Sequence, residues 1–208
     1  MTGVRDMTVG SFVAEAGART PTPGGGAIAA LGGALGVSMA LMAARFTTGK
    51  KKFAAVAQEI EGAIAKLETL SAKLLDLVDA DRAAYSAVSD AYALPKDTEE
   101  QQAARKEAVR AACVNGAKPP EGTLSACREA LDIVARLAEI ANPMLLSDVG
   151  VAAEMLAAAA GSAFLTVREN AKVIAGDEGG KMLAEAKGIL EKCRASAGGT
   201  VQKVSVSE

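Results

Sequence analysis

The chain contains no histidine in 208 residues. That removes the commonest general base and metal ligand, leaving acid–base chemistry to Asp, Glu, Lys, Tyr or Cys. Aromatic residues are scarce, 3% against 50% hydrophobic, so a core must be built from Ala, Leu, Val, Ile and Met. Such a composition favours helices over a sheet. Cys113, Cys127 and Cys193 are odd in number and lack paired spacing; they read as reduced cytosolic thiols, not a disulfide frame or a zinc site. With a net charge of −2, neither nucleic acid nor an anionic membrane is an expected partner. Residues 1–10 carry Arg5 and Asp6 and no apolar run, so no signal peptide is expected. No strand pattern and no clear internal repeat occur.

What is present is organised around residues 20–53. Thr20-Pro21-Thr22-Pro23-Gly24-Gly25-Gly26 opens the stretch, an uncharged run from Ala27 to Ala44 follows, and Gly49-Lys50-Lys51-Lys52-Phe53 closes it. Prolines stiffen the approach, and the glycines let backbone come close to a ligand. The Ala-, Leu- and Met-rich run predicts a central helix that is apolar on nearly all sides and therefore buried. Gly32 and Gly36 share a face, with Ala29 and Gly33 beside them, where another helix can pack close. The N-terminus of this helix presents unpaired N–H groups to an anion, and the lysines suit its C-terminal end. The run is almost long enough to cross a membrane, but its Ala/Gly character argues for a protein core. Gly24-x-Gly26-x-x-Ala29 is no dinucleotide fingerprint, because Pro21-Thr22-Pro23 is a poor strand. Gly49-Lys50 is no Walker motif, because Ala44 and Lys51 stand where Gly and Ser/Thr are needed.

The length suggests one domain or at most two; one is expected over 1–195, with a flexible tail over 196–208. Thr8 can cap a short helix to about Gly17, with Phe12 and Val13 facing inward. From Phe53 to Tyr92 a four-three spacing runs through Ile60, Ile64, Leu67, Ser71, Leu74, Val78, Asp81, Tyr85, Val88 and Tyr92, one stripe of a long helix. Leu94-Pro95 ends it. Asp97 or Thr98 caps the next helix, which Pro119-Pro120 is expected to break, with another running from about Glu121 to Ala141. Asn142-Pro143 starts a second Ala-rich helix to about Ile174. A turn over Gly176 to Gly180, a helix from Lys181 to Ala195 and an unpatterned end from Gly198 complete an all-α, multi-helix bundle with long central helices.

Asp81 is the sharpest anomaly, since an unpaired carboxylate on an oily stripe is costly. It reads as a general base or cation stabiliser in a pocket. The alternatives are a salt bridge inside the bundle or a stripe that turns outward; neighbouring Asp79 and Arg82 point elsewhere. Ser147-Asp148 opens the second Ala-rich helix, as a cap with a dipole-stabilising carboxylate or as site residues. Arg168 can clamp a carboxylate, with Asn170 beside it.

Thr22-Pro23-Gly24-Gly25-Gly26, Gly49-Lys50-Lys51-Lys52-Phe53, Asp79-Ala80-Asp81 to Tyr85, Leu94-Pro95-Lys96, Asn142-Pro143, Ser147-Asp148-Val149-Gly150 and Val167-Arg168-Glu169-Asn170, in this order, resemble the cyclodeaminase/cyclohydrolase family of folate enzymes. The match runs from about Val9 to Lys192 and departs at Glu121-Gly122 and in the tail. The resemblance implies an all-helical, cytoplasmic homodimer that binds a tetrahydrofolate derivative between helices without metal, nucleotide or other cofactor. A chain of this length is expected to lack a formiminotransferase domain. This favours hydrolysis of 5,10-methenyltetrahydrofolate to 10-formyltetrahydrofolate, with deamination of 5-formiminotetrahydrofolate as the alternative. A non-catalytic helical assembly module is the reading from another class. On the resemblance, Asp81 is the base, Lys50, Lys52 or Tyr85 returns a proton, and Asp148 is the next carboxylate. Thr22, Pro23, Gly24, Gly25, Gly26, Ser147, Arg168 and Asn170 are then the substrate-binding residues.

Overall fold

A computed structural model describes residues 2–206. Among them no strand occurs, and six α-helices follow one another: α1 (Val9–Ala16), α2 (Gly25–Arg45), α3 (Ala57–Tyr92), α4 (Glu99–Ile140), α5 (Leu146–Ile174) and α6 (Gly176–Ser205). Short 3-10 turns cover Val4–Asp6, Lys51–Val56 and Pro143–Leu145. The expected all-α bundle is thus observed.

At the centre α2 packs against α3 and α5, and α4 packs against α3, α5 and α6. Small residues make these approaches possible. A Cβ on Gly36 would lie 3.0 Å from Leu156 Cγ, and one on Gly33 would lie 3.1 Å from Leu74 Cδ2. Helix α2 and the segment Pro143–Ile174 are each long and apolar enough to cross a membrane. In the fold, most of the residues of α2 from Ala27 to Ala44 are buried against other helices instead.

The stripe on α3 is observed. Ile60, Leu67, Leu74, Val78 and Asp81 are buried, and the stripe opens outward only at Tyr85 and Tyr92. Thr8 caps α1 through a hydrogen bond from Ser11 N–H (3.0 Å), and Thr98 caps α4 in a capping box with Gln101.

Three expectations are corrected. Val13 does not face inward. Phe12 alone anchors α1, against Val4, Ala27, Ala30 and Val78, while Val13 stays exposed.

Pro119-Pro120 does not break the chain into two helices, because α4 runs straight through both. The prolines withhold the N–H groups that the Asn115 and Gly116 carbonyls would accept. Both rings are nevertheless buried, Pro119 C=O accepts from Thr123 Oγ1 (3.1 Å), and Gly122 admits Leu77. Tertiary packing outweighs the local preference.

The unpatterned end is also helical, since α6 starts at Gly176 and continues to Ser205. Ala197 and Thr200 are buried, and Val201 and Val204 pack on the core. The flexible tail expected from residue 196 is therefore helix as far as Ser205; Ser207 and Glu208 lie outside the described residues.

Candidate active site

The N-terminus of α2, the second half of α3, the middle of α4 and the second half of α5 enclose a cavity of about 760 Å³. That volume suits a small-molecule ligand. Gly24 precedes α2 and has no side chain with which to cap it. The Asp81 carboxylate of α3 lies instead against the first turn of α2, where the Ala27 N–H favours its ionised form. The approach is close because residue 26 is glycine: a Cβ there would lie 2.0 Å from Asp81 Oδ1.

Asp81 is 8% exposed and lines the cavity. Burial pushes its pKa up from 3.8 to about 6, against the Ala27 hydrogen bond, which pulls it down. Among the described residues it makes no salt bridge, so the bundle ion-pair reading does not hold. Arg82, next in sequence, is buried on a different side. Its Nη1 donates to Thr2 C=O (2.9 Å), and it pairs with Asp79 and Glu15 at 3.4 Å each. Arg82 thereby ties the N-terminal segment and α1 to α3, a role the stripe did not reveal.

Further along α3, Tyr85, Ser89 and Tyr92 line the cavity one above another. Across from them α5 contributes Ser162, Thr166, Glu169, Asn170 and Val173. Asn170 Nδ2 donates to Thr166 C=O (3.1 Å), and its Oδ1 faces Gly116 of α4. Hydrogen bonds from Lys172 and then Arg168 hold the Glu169 carboxyl below the usual range. The cavity thus holds two carboxyls with pKa values displaced in opposite directions. No Lys or Arg lines it among the described residues.

The structure therefore brings Asp81, Tyr85, Gly24, Gly25, Gly26 and Asn170 around one cavity. Thr22 and Pro23 lead into it without lining it. Arg168 does not line it either; it is half-exposed and acts on the cavity through Glu169. Lys50 and Lys52 lie beyond the opposite end of α2, whose 21 residues span roughly 30 Å. They are exposed, and Lys52 sits over its neighbour Phe53, 4.7 Å from the ring centroid. Neither reaches this cavity within one chain. Ser147 and Asp148 open α5, about 30 Å along that helix from Glu169, and Ser147 lines a different groove with α6. Helical register explains the lining residues that sequence reasoning missed: Ser162, Thr166, Glu169 and Val173 fall on one face of an Ala-rich helix, a pattern visible once that face is asked for.

Residues 8–187 match the formiminotransferase-cyclodeaminase family. The chain belongs to this family. A methenyltetrahydrofolate cyclohydrolase from Methylorubrum extorquens is 36% identical over 165 residues, which is 79% of either chain. The formimidoyltransferase-cyclodeaminase of Rattus norvegicus is 33% identical over 83% of this chain but only 32% of its own length. Among solved structures, formiminotetrahydrofolate cyclodeaminase from Thermotoga maritima superposes with a TM-score of 0.82, at 29% identity over 98% of this chain and 96% of that one.

Proposed function

We propose that the chain hydrolyses 5,10-methenyltetrahydrofolate to 10-formyltetrahydrofolate. One observation carries the reading: a buried, ion-pair-free carboxylate, Asp81, on the wall of a largely apolar cavity that a second carboxylate, Glu169, also lines and no cationic side chain does. The methenyl bridge is a delocalised cation, and such a site stabilises it. The likeness to the Methylorubrum cyclohydrolase supports the same reading.

In the reaction, water attacks the bridge carbon while Asp81 accepts its proton. The neutral adduct then opens at the carbon–N5 bond. Asp81 returns the proton to N5, the adduct hydroxyl loses its own to become the formyl oxygen, and one proton leaves to solvent. A carboxyl with a pKa of about 6 is ionised at pH 7 yet close enough to neutral to donate. Tyr85 is the alternative donor to N5. Glu169 is already paired with Arg168 and Lys172, so Asp81 is the carboxylate that offsets the positive charge of the bound ring.

No added metal or cofactor is required in this scheme, and the protein works in the cytoplasm with neither nucleic acid nor membrane as partner. The native form is a homodimer: Ile28, Leu35 and Phe46 are exposed along one side of α2 and its end and offer an apolar face to a second copy.

The second reading, release of ammonia from 5-formiminotetrahydrofolate, is favoured by the Thermotoga likeness over nearly the whole chain. Purified protein given each substrate separately separates the two. We expect loss of methenyl absorbance above the uncatalysed rate, unaffected by a chelator. Turnover of the formimino compound alone selects the second reading, and turnover of neither favours the assembly module.

A further inference from the structure

We propose that the N-terminal strap, residues 2–16, positions Asp81, with Phe12 as the residue that transmits its hold and Arg82 as its lock. The proposal rests on the reading above in which Asp81 carries the chemistry. The strap lies across the junction of α2 and α3. Phe12, 3% exposed, packs on Ala27 and Ala30 of α2 and on Val78 of α3. Ala27 and Ala30 belong to the first turns of α2, and Val78 lies one turn before Asp81 on α3. The ring therefore clamps the start of α2 onto α3 one turn away from the carboxylate.

The same closure sets the surroundings of Asp81. Gly26, beside Ala27, is the residue whose missing Cβ lets α2 approach the carboxylate. Burial is the larger influence on Asp81 and the Ala27 N–H the smaller. If α2 lifts from α3, water reaches the carboxylate and both influences fade. The larger one decides the sign, so the pKa moves down from about 6 towards 3.8. The other titratable groups around the cavity are Tyr85 and Tyr92 on α3, Cys113 on α4 and Glu169 on α5, and α2 has none before Arg45. On the strap side stand Arg82, Asp79 and Glu15. A change at Phe12 alters none of these groups.

The strap is pinned to α3 along its length. Arg82 reaches both of its ends, since Nη1 donates to Thr2 C=O (2.9 Å) and Nη2 pairs with Glu15 (3.4 Å). Asp79 accepts from Val4 N–H (3.1 Å) and pairs with Arg82 (3.4 Å). Arg5 donates to Ala72 C=O (3.0 Å) and pairs with Asp76. Arg82 Nε is buried and has no partner among the described residues, so the guanidinium holds the strap through its Nη atoms. Arg82 does not line the cavity. It acts on Asp81 through the strap and is a positioning residue.

The test titrates the Asp81 carboxyl by carbon NMR, its signal assigned by comparison with Asp81→Asn, and measures kcat and KM for methenyltetrahydrofolate. Wild type should titrate at about 6. Phe12→Ala should titrate about 1 pH unit lower or more, with kcat down about tenfold or more and KM within about twofold. Phe12→Leu keeps most of the apolar bulk and should restore both in large part. Arg82→Met should also titrate lower, whereas a guanidinium acting on Asp81 directly by its charge would leave the carboxyl titrating higher once removed. Leu190→Ala, in the core on α6, weakens the fold away from the strap and should keep a midpoint of about 6. Circular dichroism verifies helicity, and if Phe12→Ala does not fold, Arg82→Met decides. An unchanged titration in a folded strap variant, a rise in Arg82→Met, or an equal fall in Leu190→Ala overturns the strap. The expected titrations with no turnover of methenyltetrahydrofolate uphold the strap and refute the functional reading. Unchanged titrations with hydrolysis intact refute the strap alone.

Discussion

Asp81 is held where it is by a missing atom. Gly26→Ala places a Cβ 2.0 Å from Asp81 Oδ1, far inside van der Waals contact, and forces either helix α2 or Asp81 to move. Overpacking of this kind costs about 1–3 kcal/mol. Since alanine itself favours a helix, the loss should appear as a lower thermal midpoint, together with a fall in kcat/KM of about a hundredfold. Asp81→Asn separates charge from shape. The folded pKa of Asp81, about 6, lies above its ordinary value of 3.8 because burial penalises the ion. Its contribution to stability is therefore most favourable at low pH and declines as pH rises from about 4 to about 6. The asparagine variant should accordingly melt at or above the wild-type temperature at pH 7 and lose that advantage near pH 4, as thermal melts across pH will show. A drop in its melting temperature at pH 7 would mean that the ion is stabilising.

The period of α3 made Asp81 legible in the sequence, since a carboxylate among Leu74, Val78 and Val88 stands out. Arg82 was not legible: it lies one position off the stripe, and its partners Thr2 and Glu15 come from distant parts of the chain. Charge and order of motifs pointed to Lys50, Lys52, Ser147 and Asp148, but motif order carries no distance. Within one chain, a helix of six turns puts its two ends too far apart to serve one small cavity.

At the scale of elements, the sequence showed most helices and their caps, because apolar spacing and Thr8, Thr98 and Asn142-Pro143 are local signals. It misjudged α4 and α6 for a common reason. Pro119-Pro120 and the Gly198-Gly199 pair have poor helix propensity, and burial against neighbouring helices overrides it. That account predicts a measurable role for the end of α6. A chain stopping at Gly198 loses the contacts of Thr200, Val201 and Val204 and the Lys203–Glu139 ion pair (2.6 Å). It should be destabilised by about 2 kcal/mol, read as a lower denaturant midpoint. An unchanged midpoint would mean that the segment is dispensable. The same elements frame the site, since α3 and α5 each present a face of side chains to the cavity and α4 crosses between them at Gly116.

On the scale of the whole molecule, family membership and fold agree, and the apolar side of α2 carries the prediction of assembly. Light scattering over a range of concentrations should return a dimer mass, and a constant monomer mass would contradict it. The central claim is that this bundle uses the Asp81 carboxylate to hydrolyse a cationic folate. It is tested most directly by the pH dependence of kcat/KM for 5,10-methenyltetrahydrofolate, followed by loss of methenyl absorbance and corrected for the uncatalysed reaction. Activity should rise with pH through an apparent pKa of about 6. In Asp81→Asn it should fall about a hundredfold or more and lose that inflection. A folded Asp81→Asn protein with the wild-type rate and the same inflection would contradict the account.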